Sequence, residues 1–207
     1  LHLSTGNYND KTAKAYVDLS LFTTNQELAK DATLFFNIIS GYSIIPPMQR
    51  LLMAPVNLKS RLLELIDREI QHSIPEAPGL IVAKMNNLCD KELIQALYKA
   101  STAGVRVLLN VRGICVLMPG VPGLSENIQV ISIIDHYLEH SRIFYFQNAG
   151  AEELYLSSAD WMPRNMERRI ELMFPILQKD IFQELKDILF LYFQDTEQSH
   201  QLCSDGH

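Results

Sequence analysis

"LYLSSADWMPRN" at residues 154–165 repeats the shape of "LHLSTGNYNDKT" at residues 1–12. In both, a leucine, any residue and a second leucine lead into two hydroxyl residues, a small residue, Asn or Asp, and an aromatic. The alternating start reads as a strand and the hydroxyl-rich finish as its turn. "HSR" (His140–Arg142) stands just ahead of the later copy and reads as the preceding strand. A strand's period of two puts the side chains of His140 and Arg142 on one face. An imidazole and a cation beside such a turn form an anion site, because hydroxyls and turn amides can hold phosphoryl oxygens.

Outward from the copies, residues 25–39 ("NQELAKDATLFFNII") place Leu28, Ala32, Leu34, Phe35 and Ile38 at helical spacing, which predicts an amphipathic helix stopped near Gly41. "GYSIIPPMQR" (41–50), with its Pro-Pro, is the best linker. Then come a strand in "RLLMAP", a helix that Asn57 can cap, a strand in "GLIVAKMN", a helix closed by Gly104, and a strand in "VRVLLNVRG". Two βα crossovers in a row predict a parallel sheet covered by helices. Residues 114–127 read as loop; "IQVISII", "RIFYFQN", "ELYLSSA" and "RIELMFPI" read as strands, Gly150 turning one hairpin. A helix from about Asp180 to Thr196 and a frayed polar tail end the chain. The expectation is an α/β fold with a mixed, largely parallel sheet flanked by helices.

At 207 residues the chain holds one good-sized domain, or one domain and a piece of another. Its 18 Lys+Arg against 24 Asp+Glu, a net charge of -6, argue against general nucleic-acid binding, which needs a basic face. A local pocket of converging arginines stays open. Cys89, Cys115 and Cys203 show no metal-ligand spacing and suit a reducing compartment, so the cytoplasm is expected and no metal ligands are assigned. The apolar stretch 180–195 is broken by charges and too short to span a bilayer; peripheral membrane association of a parent protein stays open.

Four stretches carry a resemblance: "HLSTGNYNDKTAKAYVDLSLFT" (2–23), "NVRGICVLMPGVPGLSENIQVISI" (110–133), "YLEHSRIFYFQNAG" (137–150) and "YLSSADWMPRN" (155–165). They resemble, in order, C-terminal signatures of the polyphosphate kinase family, within the phospholipase D superfamily, and the likeness runs from Leu1 to at least Ile176. The resemblance implies phospholipase D-like half-domains: residues 1–48 as the C-terminal remnant of a first catalytic domain, residues 49–207 as the second. It implies reversible transfer of the terminal phosphate of ATP to polyphosphate through a phosphohistidine, with ADP as product, Mg²⁺ accompanying ATP, and a homo-oligomeric parent. The phosphorylated histidine and the magnesium-associated arginines are expected upstream of Leu1. His2 is then not the nucleophile, and the chain alone is expected to be inactive.

The same likeness assigns single residues. Tyr16 matches a nucleotide-contacting tyrosine whose face can stack on adenine, and Asp18 shares its side of the strand. Arg112 and Arg169 match phosphate-binding arginines, whose guanidinium fork suits bidentate contacts. His140 matches the second catalytic-site histidine, able to donate to or accept from the bridging oxygen. On the residues alone, Tyr16 reads equally as a core aromatic, Asp18 as a turn carboxylate, and Arg112 and Arg169 as solvated charges; a lone strand histidine would read as structural, but the adjoining "SR" and the repeated turn favour a site role for His140. Lys84, Arg106, Arg142 and Arg164 are candidates for lining a polyanion channel, and Arg142 stands where the wider superfamily has lysine. Two rivals remain: a phospholipase D-type phosphodiesterase or nuclease working without ATP, and a non-catalytic polyphosphate- or nucleotide-binding module.

Overall fold

The structure, a computed structural model, describes residues 1–41 and 47–206. The chain first forms β1 (His2–Ser4), β2 (Tyr16–Val17), β3 (Ser20–Phe22), α1 (Gln26–Ile39), β4 (Leu52–Ala54) and α2 (Leu58–His72). There follow β5 (Leu80–Met85), α3 (Lys91–Thr102), β6 (Arg106–Val111), β7 (Ile128–Ile133), β8 (Leu138–Glu139) and β9 (Ile143–Phe146). The last elements are β10 (Glu153–Ser157), α4 (Pro163–Glu167), β11 (Glu171–Pro175), α5 (Lys179–Leu191) and β12 (Ser199–Gln201).

Local chemistry sets the helix ends. The side chains of Asn25 and Asp90 accept from the free amides of the first turns of α1 and α3. Gly41 and Gly104, at φ +107° and +86°, release the chain after those helices. Asn57 departs from its expected capping role: it precedes α2, but its Oδ1 accepts from Met53 N (2.8 Å), closing the β4–α2 turn instead. The linker expected over 41–50 falls partly on residues 42–46, outside the described residues. Among the described residues no helix is long and apolar enough to cross a membrane.

The main sheet has the order β12-β7-β6-β5-β9-β10-β11-β4. It is mixed and flanked by helices, as the α/β reading requires. Its parallel ladders are β5–β6 and β6–β7; every other neighbour is antiparallel. β4 runs in the same direction as β5 but lies at the far edge, because β9, β10 and β11 slot between them through short connections that favour antiparallel pairing. The tail is not frayed. β12 pairs with β7 (Ser199↔Ile133) and satisfies that strand's outer backbone groups. The final helix is shorter than expected, α5 giving way to a 3-10 turn at Tyr192–Gln194.

Strand alternation divides the interior in two. Ile81, Ala83, Met85, Phe144 and Phe146 face α2 and α3. Val82, Ile143, Tyr145, Leu154 and Leu156 share the other core with Leu185 and Leu189 of α5 and with Leu3, Leu21, Leu28 and Ala32. Residues from before the linker are thus packed on this sheet.

The sequence repeat is also a repeat of hydrogen bonds. Leu3 pairs with Leu21 in β1–β3 as Leu156 pairs with Phe174 in β10–β11. Gly6 N and Ala159 N donate to Ser4 Oγ and Ser157 Oγ (3.1 and 3.0 Å). Leu19 N and Leu172 N donate to Thr5 and Ser158 hydroxyls (3.0 and 3.1 Å), which themselves donate to Asp18 and Glu171 (2.8 and 2.5 Å). By this correspondence Arg169 stands in the second copy where Tyr16 stands in the first.

Candidate active site

The polar residues gather on one rim of the sheet. The carboxyl ends of β5, β6 and β10 lie there together with the start of β9, which runs opposite to its neighbours. β2 pairs with β8 (Val17↔Glu139), and His140 N and Ser141 N both donate to Val17 O (3.0 Å each), which brings His140 to Asp18. His140–Arg142 is not itself a strand. It is the junction between β8 and β9, which belong to different sheets. The two side chains still share a side, Arg142 Nη1 lying 3.4 Å from His140 Nδ1.

Both Asp18 oxygens lie 3.0 Å from His140 Nδ1. A carboxylate accepts only, so Nδ1 carries a proton, and in the neutral ring Nε2 is the nitrogen with the lone pair. Among the described residues Nε2 has no hydrogen-bond partner. The Tyr16 ring leans on the imidazole, centroids 4.9 Å apart. Gly6 is what lets Asp18 approach: a Cβ there would fall 2.3 Å from Asp18 Oδ2.

Arg112 follows β6 at the same rim, half-buried, and its Nε donates to Asn86 Oδ1 (2.9 Å). Asn86 Nδ2 donates to the His140 carbonyl (3.1 Å), so one buried amide joins the two. The structure therefore assembles Tyr16, Asp18, His140 and Arg112. Among the described residues no contact ties Arg169 to them. That residue is 50% exposed at its side chain and lies 3.8 Å from Glu171. Arg169, expected to open the strand "RIELMFPI", instead precedes β11.

Of the channel candidates, Arg142 and Lys84 lie beside His140 but are tied to other groups, while Arg106 and Arg164 stand away from it. Arg142 is 6% exposed; its Nε and Nη2 grip Asp160 (3.1 and 3.2 Å) and its Nη1 donates to Thr5 O (3.0 Å). It braces the two repeated turns against each other and offers no free fork to an anion. Asp160 also accepts from Asn86 N (2.8 Å) and Asn87 Nδ2 (3.2 Å). Burial pushes this carboxyl up, but the Arg142 guanidinium and the amides outweigh burial and hold it below its usual range. Arg106 opens β6 at the opposite end of the sheet, and Arg164 is exposed on α4. Asn86 and Asn87 carried no assignment in the sequence, where "NN" directly after a parallel strand is the signal that marks them; Asp160 stood there as the acidic position of the repeated turn, with no role assigned.

Lys84 is buried beneath the His140 backbone. Its Nζ donates to Ser141 O (3.0 Å) and Oγ (2.9 Å), lies 3.3 Å from Glu139 Oε2 and faces the Tyr192 ring. Burial pushes its ammonium down to about 8, with Glu139 working against the shift. A folded-state value below the unfolded 10.5 means the folded chain releases this proton first, so stability rises with pH across that window. Urea unfolding of wild type against Lys84→Met should show wild type gaining about 2 kcal/mol on the mutant between about pH 8 and about pH 10. A flat difference would refute the buried ammonium.

The described residues do not fit a resident Mg²⁺. No three of His, Cys, Asp and Glu converge among them, and Asp18 and Asp160 are committed to His140 and Arg142.

This sheet, with its catalytic-looking rim, has the phospholipase D-like fold. It matches the crystal structure of Nuc, a phospholipase D family member from Salmonella typhimurium, at a TM-score of 0.56 over 75% of this chain and 97% of that one; at 12% identity the likeness is one of fold. Residues 51–207 match polyphosphate kinase C-terminal domain 2 and residues 1–44 match C-terminal domain 1, and the chain belongs to the polyphosphate kinase family. It is 53% identical to a polyphosphate kinase of Synechocystis sp. over 206 residues, covering 100% of this chain and 28% of that protein. The crystal structure of polyphosphate kinase from Porphyromonas gingivalis superposes with a TM-score of 0.94 at 43% identity, over 99% of this chain and 31% of that one. The chain spans less than a third of the length of these relatives.

Proposed function

We propose that the chain is the C-terminal part of an ATP–polyphosphate phosphotransferase. Residues 1–48 close a first phospholipase D-like catalytic domain and residues 49–207 form the second. The observation that carries the reading is an imidazole pinned by Asp18 through Nδ1 (3.0 Å), with Nε2 free, tied through Asn86 to a guanidinium at a strand end. Phosphoryl transfer needs positioning and neutralisation of spread negative charge more than covalent work by the protein. Arg112 binds phosphate with its free Nη groups, Tyr16 offers its ring to adenine, and His140 Nε2 exchanges a proton with the bridging oxygen. The terminal phosphoryl of ATP passes to a histidine outside this chain's own histidines, releasing ADP and forming a phosphohistidine, and from there to the end of polyphosphate, which frees the histidine; the path is reversible. Arg169 serves phosphate from the rim of the second turn. Mg²⁺ arrives with ATP as part of the nucleotide complex. The parent is read as a cytoplasmic homo-oligomer that binds no nucleic acid.

The phosphodiesterase alternative is disfavoured by Arg142, whose guanidinium is spent on Asp160. The test is direct. The full-length protein should lengthen polyphosphate from ATP and leave a model phosphodiester intact in EDTA, and residues 1–207 alone should show no turnover. Diester cleavage, or polyphosphate made by the isolated chain free of contaminating kinase, would overturn the assignment.

A further inference from the structure

We infer that Asn86 is a positioning residue that aims Arg112 and His140 at one phosphoryl group; the inference rests on the functional reading of those two residues given above. Asn86 is the first residue past β5 and is 1% exposed. Its Oδ1 accepts from Arg112 Nε (2.9 Å), and its Nδ2 donates to His140 O (3.1 Å) and Asp160 Oδ1 (3.3 Å). The amide orientation is forced, since a guanidinium only donates and a main-chain carbonyl only accepts. Its backbone is fixed as well, N donating to Asp160 (2.8 Å) and O accepting from Gly113 N (2.7 Å). Gly113 has no side chain because a Cβ there would lie 2.9 Å from Asn87 Oδ1 and 3.0 Å from Asn86 O. That close approach carries Arg112 to Asn86.

Fixing Nε fixes the fork. With Nε committed to Asn86, the guanidinium plane is set, and among the described residues its two Nη groups have no hydrogen-bond partner. They are the pair that suits bidentate phosphate contact. The same amide holds the backbone from which the imidazole projects. A single side chain thus sets the spacing between the charge that binds the phosphate and the ring that serves its oxygen. Neither aspartate nor an aliphatic residue can accept from Arg112 and donate to His140 together.

Four variants of the full-length protein test this by steady-state kinetics: Asn86→Ala, Arg112→Lys, Arg112→Ala and the double alanine. Asn86→Ala should raise the KM for ATP about 10-fold and also lower kcat. Arg112→Lys keeps the charge and loses Nε, so its KM should rise nearly as far as that of Arg112→Ala. The double variant should be no worse in KM than Arg112→Ala, because Asn86 acts on nucleotide binding through that residue. Losses that multiply would overturn the inference, as a merely structural asparagine gives additive effects. So would Arg112→Lys with a wild-type KM, a variant that leaves the core untouched and decides the matter even if Asn86→Ala does not fold. If Arg112→Ala itself leaves the KM unchanged, the reading of the site falls and this inference with it. An effect at Arg112 without one at Asn86 sinks the inference alone.

Discussion

Replacing His140 with alanine in the full-length protein is expected to lower kcat by about 100- to 10,000-fold, with the KM for ATP held within about threefold. The expectation follows from what each ring nitrogen can do. Nδ1 is given over to both oxygens of Asp18 at 3.0 Å, so the ring contributes to the reaction through Nε2. Nucleotide affinity depends instead on Arg112 and on the Tyr16 face, which the substitution leaves in place. Asp18→Asn separates orientation from presence. An asparagine can turn its NH₂ toward Nδ1, which moves the ring proton to Nε2 and removes the lone pair that accepts. It should therefore lose activity on the same order as His140→Ala, although the imidazole is still there and Thr5 can still donate to residue 18. Initial rates in both reaction directions give the answer. A rise in KM at constant kcat, for either variant, would mean that His140 binds nucleotide and moves no proton.

The parts of this arrangement that could be read from the sequence are those set by neighbours in the chain. The repeated turn was visible because each hydroxyl serves amides a few residues away and the strand ladder returns in the same register, Leu3 on Leu21 and Leu156 on Phe174. Strands β5 and β9 were visible because both, Lys84 apart, are apolar on each face, buried between two helical layers. What failed was adjacency. Nothing local tells β4 that three later strands will come between it and β5, or tells a polar "SHQ" that the open edge of β7 needs a partner. The site divides the same way. Tyr16, Asp18, Arg112 and His140 were assigned by likeness of motif, and the folded chain brings them together. Arg142 could not be told from a channel-lining cation, since its role depends on Asp160 across a hairpin. Asn86 carries no charge and no nucleophile, so its type alone gave no reason to choose it.

Asp160→Ala should destabilise the chain by about 3–5 kcal/mol, among the largest losses available to a polar substitution here. Asp160 and Arg142 are 5% and 6% exposed and meet through two hydrogen bonds. An arginine cannot shed its proton to escape burial. Without Asp160, Arg142 keeps only the carbonyl of Thr5, and Asn86 N and Asn87 Nδ2 lose their acceptor. Arg142→Met is the informative contrast and should be milder, because an orphaned carboxyl can take up a proton and still has the amides of Asn86 and Asn87. Combining the two changes should recover part of the loss seen in Asp160→Ala, since the uncompensated cation is gone. The sign with pH follows from the depressed carboxyl: the stability it contributes is present above its unfolded value of 3.8 and drains away as pH falls through the lower folded value. The wild-type advantage over Arg142→Met should therefore shrink on acidification below about pH 4. Urea denaturation of residues 1–207 at neutral and acidic pH measures all three. Because Arg142 also holds Thr5, whose hydroxyl serves Asp18, Asp160→Ala in the full-length protein should in addition loosen the His140 clamp and lower kcat in the fraction that stays folded. A cost under about 1 kcal/mol would place the pair among ordinary surface bridges and remove the buried brace on which the rim's geometry depends.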